Sequence, residues 1–128
     1  MLIGVGIDIV NVNRFEAKLR EIPNLKEKIF SVHELEKSSF QTLAGKFAAK
    51  EALIKALNYS DKSLLKSLEV LNSDCGKPYF SFRINRPKVL RDLAIHLSIS
   101  HDIDLSCAFV VIESPKLPYP IKTKSKTI

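Results

Sequence analysis

The stretch TLAGKFAAKEALIKALN, residues 42–58, decides the fold. Wound as a helix, it spreads Leu43, Phe47, Ala49, Leu53, Ile54, Ala56 and Leu57 over half or more of its circumference, the pattern of a helix buried on most sides. It starts at Gln41 or Thr42. Charges on so apolar a helix need partners or a wet cleft, because an isolated buried charge costs far more than one residue's packing returns. Lys46 with Lys50 and Glu51 with Lys55 each stand one turn apart on it.

Upstream, residues 2–10 read as a strand in which Ile3, Val5, Ile7 and Ile9 alternate with Gly4, Gly6, Asp8 and Val10. The wholly β-branched face is expected to be buried. On the other face Asp8 stands beside two residues without side chains, and glycine inside a strand marks close approach of another backbone or a ligand. Asn11 to Asn13 then offers caps for a short helix carrying Arg14, Phe15, Lys18 and Leu19, which ends before Pro23. A second helical segment covers residues 25–30. Ser31 and Glu34 form a Ser-x-x-Glu capping box that opens a helix carrying Leu35.

Downstream of a turn at residues 59–62 the hydrophobic period moves towards two. Residues 68–72, 79–85, 95–100 and 106–113 read as strands. Ser73, Asp74 and Gly76 turn between the first two, and Asp102, Ile103 and Asp104 turn before the last. Residues 86–92 form a short helix or a loop. The expected architecture is α+β, a long buried helix packed on a mainly antiparallel sheet, in a single domain over residues 1–113.

At 128 residues the chain buries about two-thirds of the surface that its unfolded form exposes, enough for a core without staples. With 45% hydrophobic and 27% charged residues it is neither disordered nor collagenous. No apolar run approaches the roughly 20 residues that cross a bilayer, and the first residues lack the basic leader of a signal peptide. No membrane partner and a cytoplasmic location are expected. Cys75 and Cys107 have neither zinc-finger nor C-x-x-C spacing, and reduced thiols are expected. Of the net +6, Lys116, Lys122, Lys124 and Lys126 supply +4, which leaves +2 on residues 1–113. Residues 114–128 read as a basic flexible tail, and no nucleic-acid partner is expected.

Several familiar sites fail. Ile9 stands where a dinucleotide fingerprint needs its third glycine; Phe40 and Phe47 break a P-loop around Gly45 and Lys46. Ser100, His101 and Asp102 are neighbours on an extended chain and cannot form a triad by adjacency. Asp8 on a strand and Glu51 on a buried helix remain. Each carboxylate, taken singly, fits half of an ion pair, with Lys55 the obvious partner of Glu51. Together they fit Mg²⁺, which prefers one or two protein carboxylates plus phosphate oxygens, with a lysine to neutralise the phosphate. His101, at a strand end beside a turn, reads first as an ordinary hydrogen-bonded histidine.

GVGIDIVNVNRFE at residues 4–16, GKFAAKEALIKAL at 45–57, GKPYF at 76–80 and SISHDIDLSCAFVVIE at 98–113 together resemble holo-acyl carrier protein synthase, in order and in spacing. These small bacterial enzymes move 4′-phosphopantetheine from coenzyme A to a serine of apo acyl carrier protein and release adenosine 3′,5′-bisphosphate. The resemblance implies that Asp8 and Glu51 hold Mg²⁺ on the coenzyme A pyrophosphate and that Lys55 contacts the phosphate and assists the leaving group. It implies that Lys46, His101 and the turn Gly76, Lys77 and Pro78 surround the nucleotide and its 3′-phosphate. Arg14, Leu25 and Lys28 would face the carrier protein, and the assembly would be a homotrimer with sites at subunit boundaries. Glu51 or a metal-bound water would take the serine proton. Asn58, Tyr59 and Ser60 replace a glycine-containing turn common in the family, and Glu21 and Asn24 stand where many relatives carry basic residues. A transferase devoted to another carrier domain, or a non-catalytic binder on the same scaffold, are the alternatives.

Overall fold

A computed structural model describes residues 1–36, 38–58, 64–82, 86 and 88–115. The elements in chain order are β1 (Leu2–Asn11), α1 (Val12–Glu21), α2 (Leu25–Ile29), α3 (Val32–Leu35), α4 (Phe40–Leu57), α5 (Leu64–Ser67), β2 (Leu68–Asn72), β3 (Pro78–Phe82), β4 (Ala94–Asp102) and β5 (Leu105–Glu113), with a 3-10 turn at Lys88–Leu90. β1, β5 and β4 form one antiparallel sheet in that order, and β2 pairs with β3 in a separate antiparallel hairpin. The α+β architecture with its long helix on an antiparallel sheet stands as the sequence implied.

Local chemistry sets the helix ends. Asn11 caps α1 by accepting from Arg14 N–H at 3.0 Å, and Ser39 caps α4 by accepting from Thr42 N–H at 3.1 Å. Ser31 and Glu34 form the expected capping box, each side chain accepting from the other's backbone N–H. α4 ends on Asn58 in the left-handed region at φ 51°, which asparagine tolerates better than most residues. Tyr59 and Ser60 lie outside the described residues, as do the end of the strand expected at 79–85 and all of the lysine-rich tail beyond Pro115. Among the described residues no helix is long and apolar enough to cross a membrane.

β1 overturns one expectation. The face bearing Ile3, Val5, Ile7 and Ile9 is exposed, with Val5, Ile7 and Ile9 at 54%, 59% and 64%, while the face bearing Gly4, Gly6 and Val10 packs on α4. Small size decides this. A Cβ on Gly4 would overlap the carbonyl oxygen of Ala56, and one on Gly6 that of Ala52. The helix answers with alanines: Ala44, Ala48, Ala49 and Ala52 are wholly buried, so strand and helix backbones lie in direct contact. The alternation was real, but both faces are apolar or small, and close packing chose the one without side chains.

Lys50 explains how α4 carries charge inward. Its ammonium is fully buried and donates to Glu34 Oε1 at 2.6 Å, the Ile29 carbonyl at 2.8 Å and the Leu65 carbonyl at 2.9 Å. Glu34, equally buried, also accepts from the N–H groups of Ser31 and Val70. Burial holds Lys50 below the usual lysine range despite the pull of Glu34. A buried pair of this kind adds little net stability against an apolar replacement, but removing one partner strands the other. The pair therefore fixes how α2, α3, α5 and β2 sit on α4.

Candidate active site

The contact between β1 and α4 positions the first group of side chains. Asp8 follows Gly6 on the packed face of β1, and Glu51 precedes Ala52 on α4. Both line one cavity of about 450 Å³ with Arg14 and Lys18 from α1, Leu25 from α2 and Phe47 from α4. Phe47 stacks on Phe15 with ring centroids 5.0 Å apart, which fixes one wall. Lys55, one helical turn beyond Glu51, donates to Asp8 Oδ1 and to the Ile7 carbonyl, each at 3.0 Å. The cation that sequence reading set beside Glu51 thus sits on Asp8, whose side chain is only 17% exposed.

A second cavity of about 280 Å³ gathers Thr42, Gly45 and Lys46 from α4, Gly76 and Pro78 from the β2–β3 turn, and His101 from β4. Gly76 takes φ 84°, a conformation few residues with side chains adopt. The Lys46 ammonium donates to the Glu34 carbonyl at 3.0 Å and to Ser38 Oγ at 3.3 Å. Burial pulls Lys46 below the usual lysine range, against the opposing charges of Glu34 and Glu69. His101 Nδ1 lies 2.7 Å from Ser106 Oγ.

Asp8, Glu51, Arg14 and Leu25 are therefore together, and so are Lys46, Gly76, Pro78 and His101. Lys77 and Lys28 are exposed and line neither cavity, although Lys77 closes its turn by donating from its N–H to Ser73 Oγ. Sequence reasoning missed Lys18, although its spacing of four from Arg14 puts both cations on one face of α1. It also missed the buried pairing of Glu34 with Lys50, sixteen positions apart, and the contact of Ser106 with Gln41, sixty-five apart, neither of which leaves a local signal.

The donor set fits a hard cation. Among the described residues no group of three or more histidine, cysteine, aspartate or glutamate side chains could cage a metal. Two carboxylates on an open cavity instead match Mg²⁺, which keeps waters or substrate oxygens in its remaining positions.

The model of the 4′-phosphopantetheinyl transferase superfamily matches residues 4–108. The chain belongs to this superfamily. It is 35% identical to the holo-[acyl-carrier-protein] synthase of Clostridium tetani over 88% of its own length and 97% of that protein's. It is 39% identical to that of Leifsonia xyli subsp. xyli, over 88% and 98%. A crystal structure of the holo-(acyl-carrier-protein) synthase from Bacillus anthracis in complex with CoA (3′,5′-ADP) superposes with a TM-score of 0.74 at 35% identity, covering 89% of this chain and 98% of that one. The chain is accordingly an enzyme of the holo-[acyl-carrier-protein] synthase type.

Proposed function

We propose that the enzyme transfers 4′-phosphopantetheine from coenzyme A to a serine of apo acyl carrier protein, releasing adenosine 3′,5′-bisphosphate, and serves fatty acid biosynthesis in the cytoplasm. The meeting of Asp8 and Glu51 in one cavity carries this reading. The activity named for the relatives, and coenzyme A in the Bacillus anthracis complex, support the substrate pair. Held by Asp8 and Glu51, Mg²⁺ would supply positive charge to the pyrophosphate.

The serine oxygen forms a new bond to the β-phosphorus, counted from the adenosine, while the pyrophosphate bond breaks and the bisphosphate leaves. Glu51 takes the serine proton. Lys55, already beside Asp8, neutralises charge on the departing group. Catalysis of this kind is mostly positioning and charge stabilisation, which lysines and carboxylates in a partly enclosed site supply. Lys46, His101 and the turn Gly76, Lys77 and Pro78 receive the nucleotide. Arg14, Leu25 and Lys28 meet the acidic carrier protein, with Lys18 extending the basic face.

The active assembly is a homotrimer. Ile3, Val5, Ile7 and Ile9 on β1 and Phe109 on β5 make an exposed apolar sheet face that needs a cover. The Asp8–Glu51 cavity and the Lys46–His101 cavity share no lining residue, as expected if a complete site combines one of each from neighbouring copies. Catalysis belongs to one domain over residues 1–113, and the basic tail at 114–128 adds salt-sensitive attraction to the carrier protein.

Mass spectrometry of apo acyl carrier protein incubated with coenzyme A, the enzyme and Mg²⁺ tests the reading. The phosphopantetheine adduct should form and should be abolished by a chelator. Unmodified carrier protein under all conditions would overturn it.

A further inference from the structure

Lys46 lines the second cavity, yet the atoms that hold its ammonium belong to the end of α3 and the link that follows it. The Glu34 carbonyl accepts from Nζ at 3.0 Å, and Ser38 Oγ accepts from the same nitrogen at 3.3 Å. Ser38 Oγ in turn lies 2.6 Å from the Glu34 carbonyl. An ammonium only donates and a carbonyl only accepts, so the hydroxyl gives its one proton to Glu34 and takes another from Lys46. α3 ends at Leu35, and the Ser38 N–H, which in a longer helix would reach Glu34, bonds the Leu35 carbonyl at 3.4 Å; the serine hydroxyl takes its place. This triangle has a fixed base. The Glu34 side chain is fully buried on Lys50 and on the N–H groups of Ser31 and Val70, which sets where its carbonyl stands.

Both acceptors are uncharged. Lys50 and Lys55 on the same helix each touch a carboxylate, that of Glu34 and that of Asp8, whereas the two oxygens that hold Lys46 fix its place without a counter-charge in contact. Two of its three N–H groups are committed to them, and one is left for a ligand. A free lysine loses much rotamer freedom when it closes on an anion, and one already held beside the cavity loses less. We propose that Ser38 is a positioning residue: together with the Glu34 carbonyl it holds the Lys46 ammonium beside the cavity, with one donor uncommitted, for the 3′-phosphate of coenzyme A. This rests on the reading of that cavity as the nucleotide site. The pyrophosphate belongs with Asp8, Glu51 and Lys55, which leaves the 3′-phosphate to Lys46. Ser38 does not line the cavity and acts through the lysine.

Isothermal titration calorimetry of the full-length protein with coenzyme A and with 3′-dephospho-coenzyme A, in Mg²⁺, tests this, with thermal melts to confirm that each variant is folded. Ser38→Ala should bind coenzyme A about fivefold more weakly than wild type, the scale of one modest hydrogen bond. It should bind 3′-dephospho-coenzyme A as wild type does. Lys46→Met should weaken coenzyme A about tenfold or more, and Ser38→Ala added to Lys46→Met should weaken it no further, a coupling that a serine serving only the α3 end would not show. Unchanged affinity for coenzyme A in Ser38→Ala, equal losses for the two ligands, or the same loss with and without Lys46 overturns the positioning role. If Lys46→Met itself binds coenzyme A as wild type does, the assignment of the nucleotide to this cavity falls instead.

Discussion

Gly6 of β1 and Ala52 of α4 meet backbone to backbone, and a Cβ on Gly6 would occupy the place of the Ala52 carbonyl oxygen. Asp8 lies two residues beyond Gly6 on the same strand face, and Glu51 precedes Ala52, so this contact is what brings the two carboxylates into one cavity. Gly6→Ala must push the strand off the helix. It should destabilise the protein by about 3 kcal/mol or more, at the upper end for overpacking. Urea denaturation measures this, and an unchanged midpoint would contradict it.

Lys46 gives a signed pH dependence. Burial lowers its pKa in the folded protein from the ordinary 10.5, so the unfolded chain holds this proton more tightly. Between the lowered value and 10.5 the unfolded state therefore binds more protons, and the contribution of Lys46 to stability rises with pH across that alkaline window. The stability difference between wild type and Lys46→Met should move in favour of wild type as pH climbs through it. A difference that is flat, or that falls, would contradict the shift.

Arg14 and Lys18, one turn apart on α1, present two cations at the mouth of the Asp8–Glu51 cavity. Arg14→Glu combined with Lys18→Glu should raise KM for the carrier protein about tenfold or more, leave kcat with saturating carrier nearly unchanged, and flatten the salt dependence of kcat/KM. Steady-state kinetics at two ionic strengths read all three. A loss confined to kcat would move these residues out of partner binding.

The apolar outer face of β1 and β5 predicts self-association. Sedimentation should give a species about three times the 14.4 kDa chain, and Ile7→Asp, on a position 59% exposed in the single chain, should dissociate it without unfolding. A wild-type protein that sediments only as a single chain would remove the trimer.

Much of this was legible in the residues because the signals are local. The Ser31 and Glu34 capping box, the asparagine cap of α1, the glycine spacing on β1 and the apolar wrap of α4 each depend on neighbours within a turn or two. The buried side of β1 was not legible in this way. Alternation yields two faces, and which one meets the helix depended on the alanines of α4, more than forty positions away, leaving room only for glycine. Likewise Lys46 and Lys50 look alike on a helical wheel. One lines a cavity and the other is sealed against Glu34 because of where α3 and β2 close over the helix. The pairing of Lys55 with Asp8, forty-seven positions away, has the same origin in strand–helix contact.

If Asp8 and Glu51 hold one divalent ion between them, as proposed, then binding of Mn²⁺ as a spectroscopic stand-in for Mg²⁺, followed by electron paramagnetic resonance with coenzyme A present, must depend on both carboxylates. Wild type should bind one ion per site, while Asp8→Asn and Glu51→Gln should each weaken it at least about a hundredfold and slow turnover about a thousandfold while remaining folded. Undiminished Mn²⁺ affinity in either variant would contradict the account.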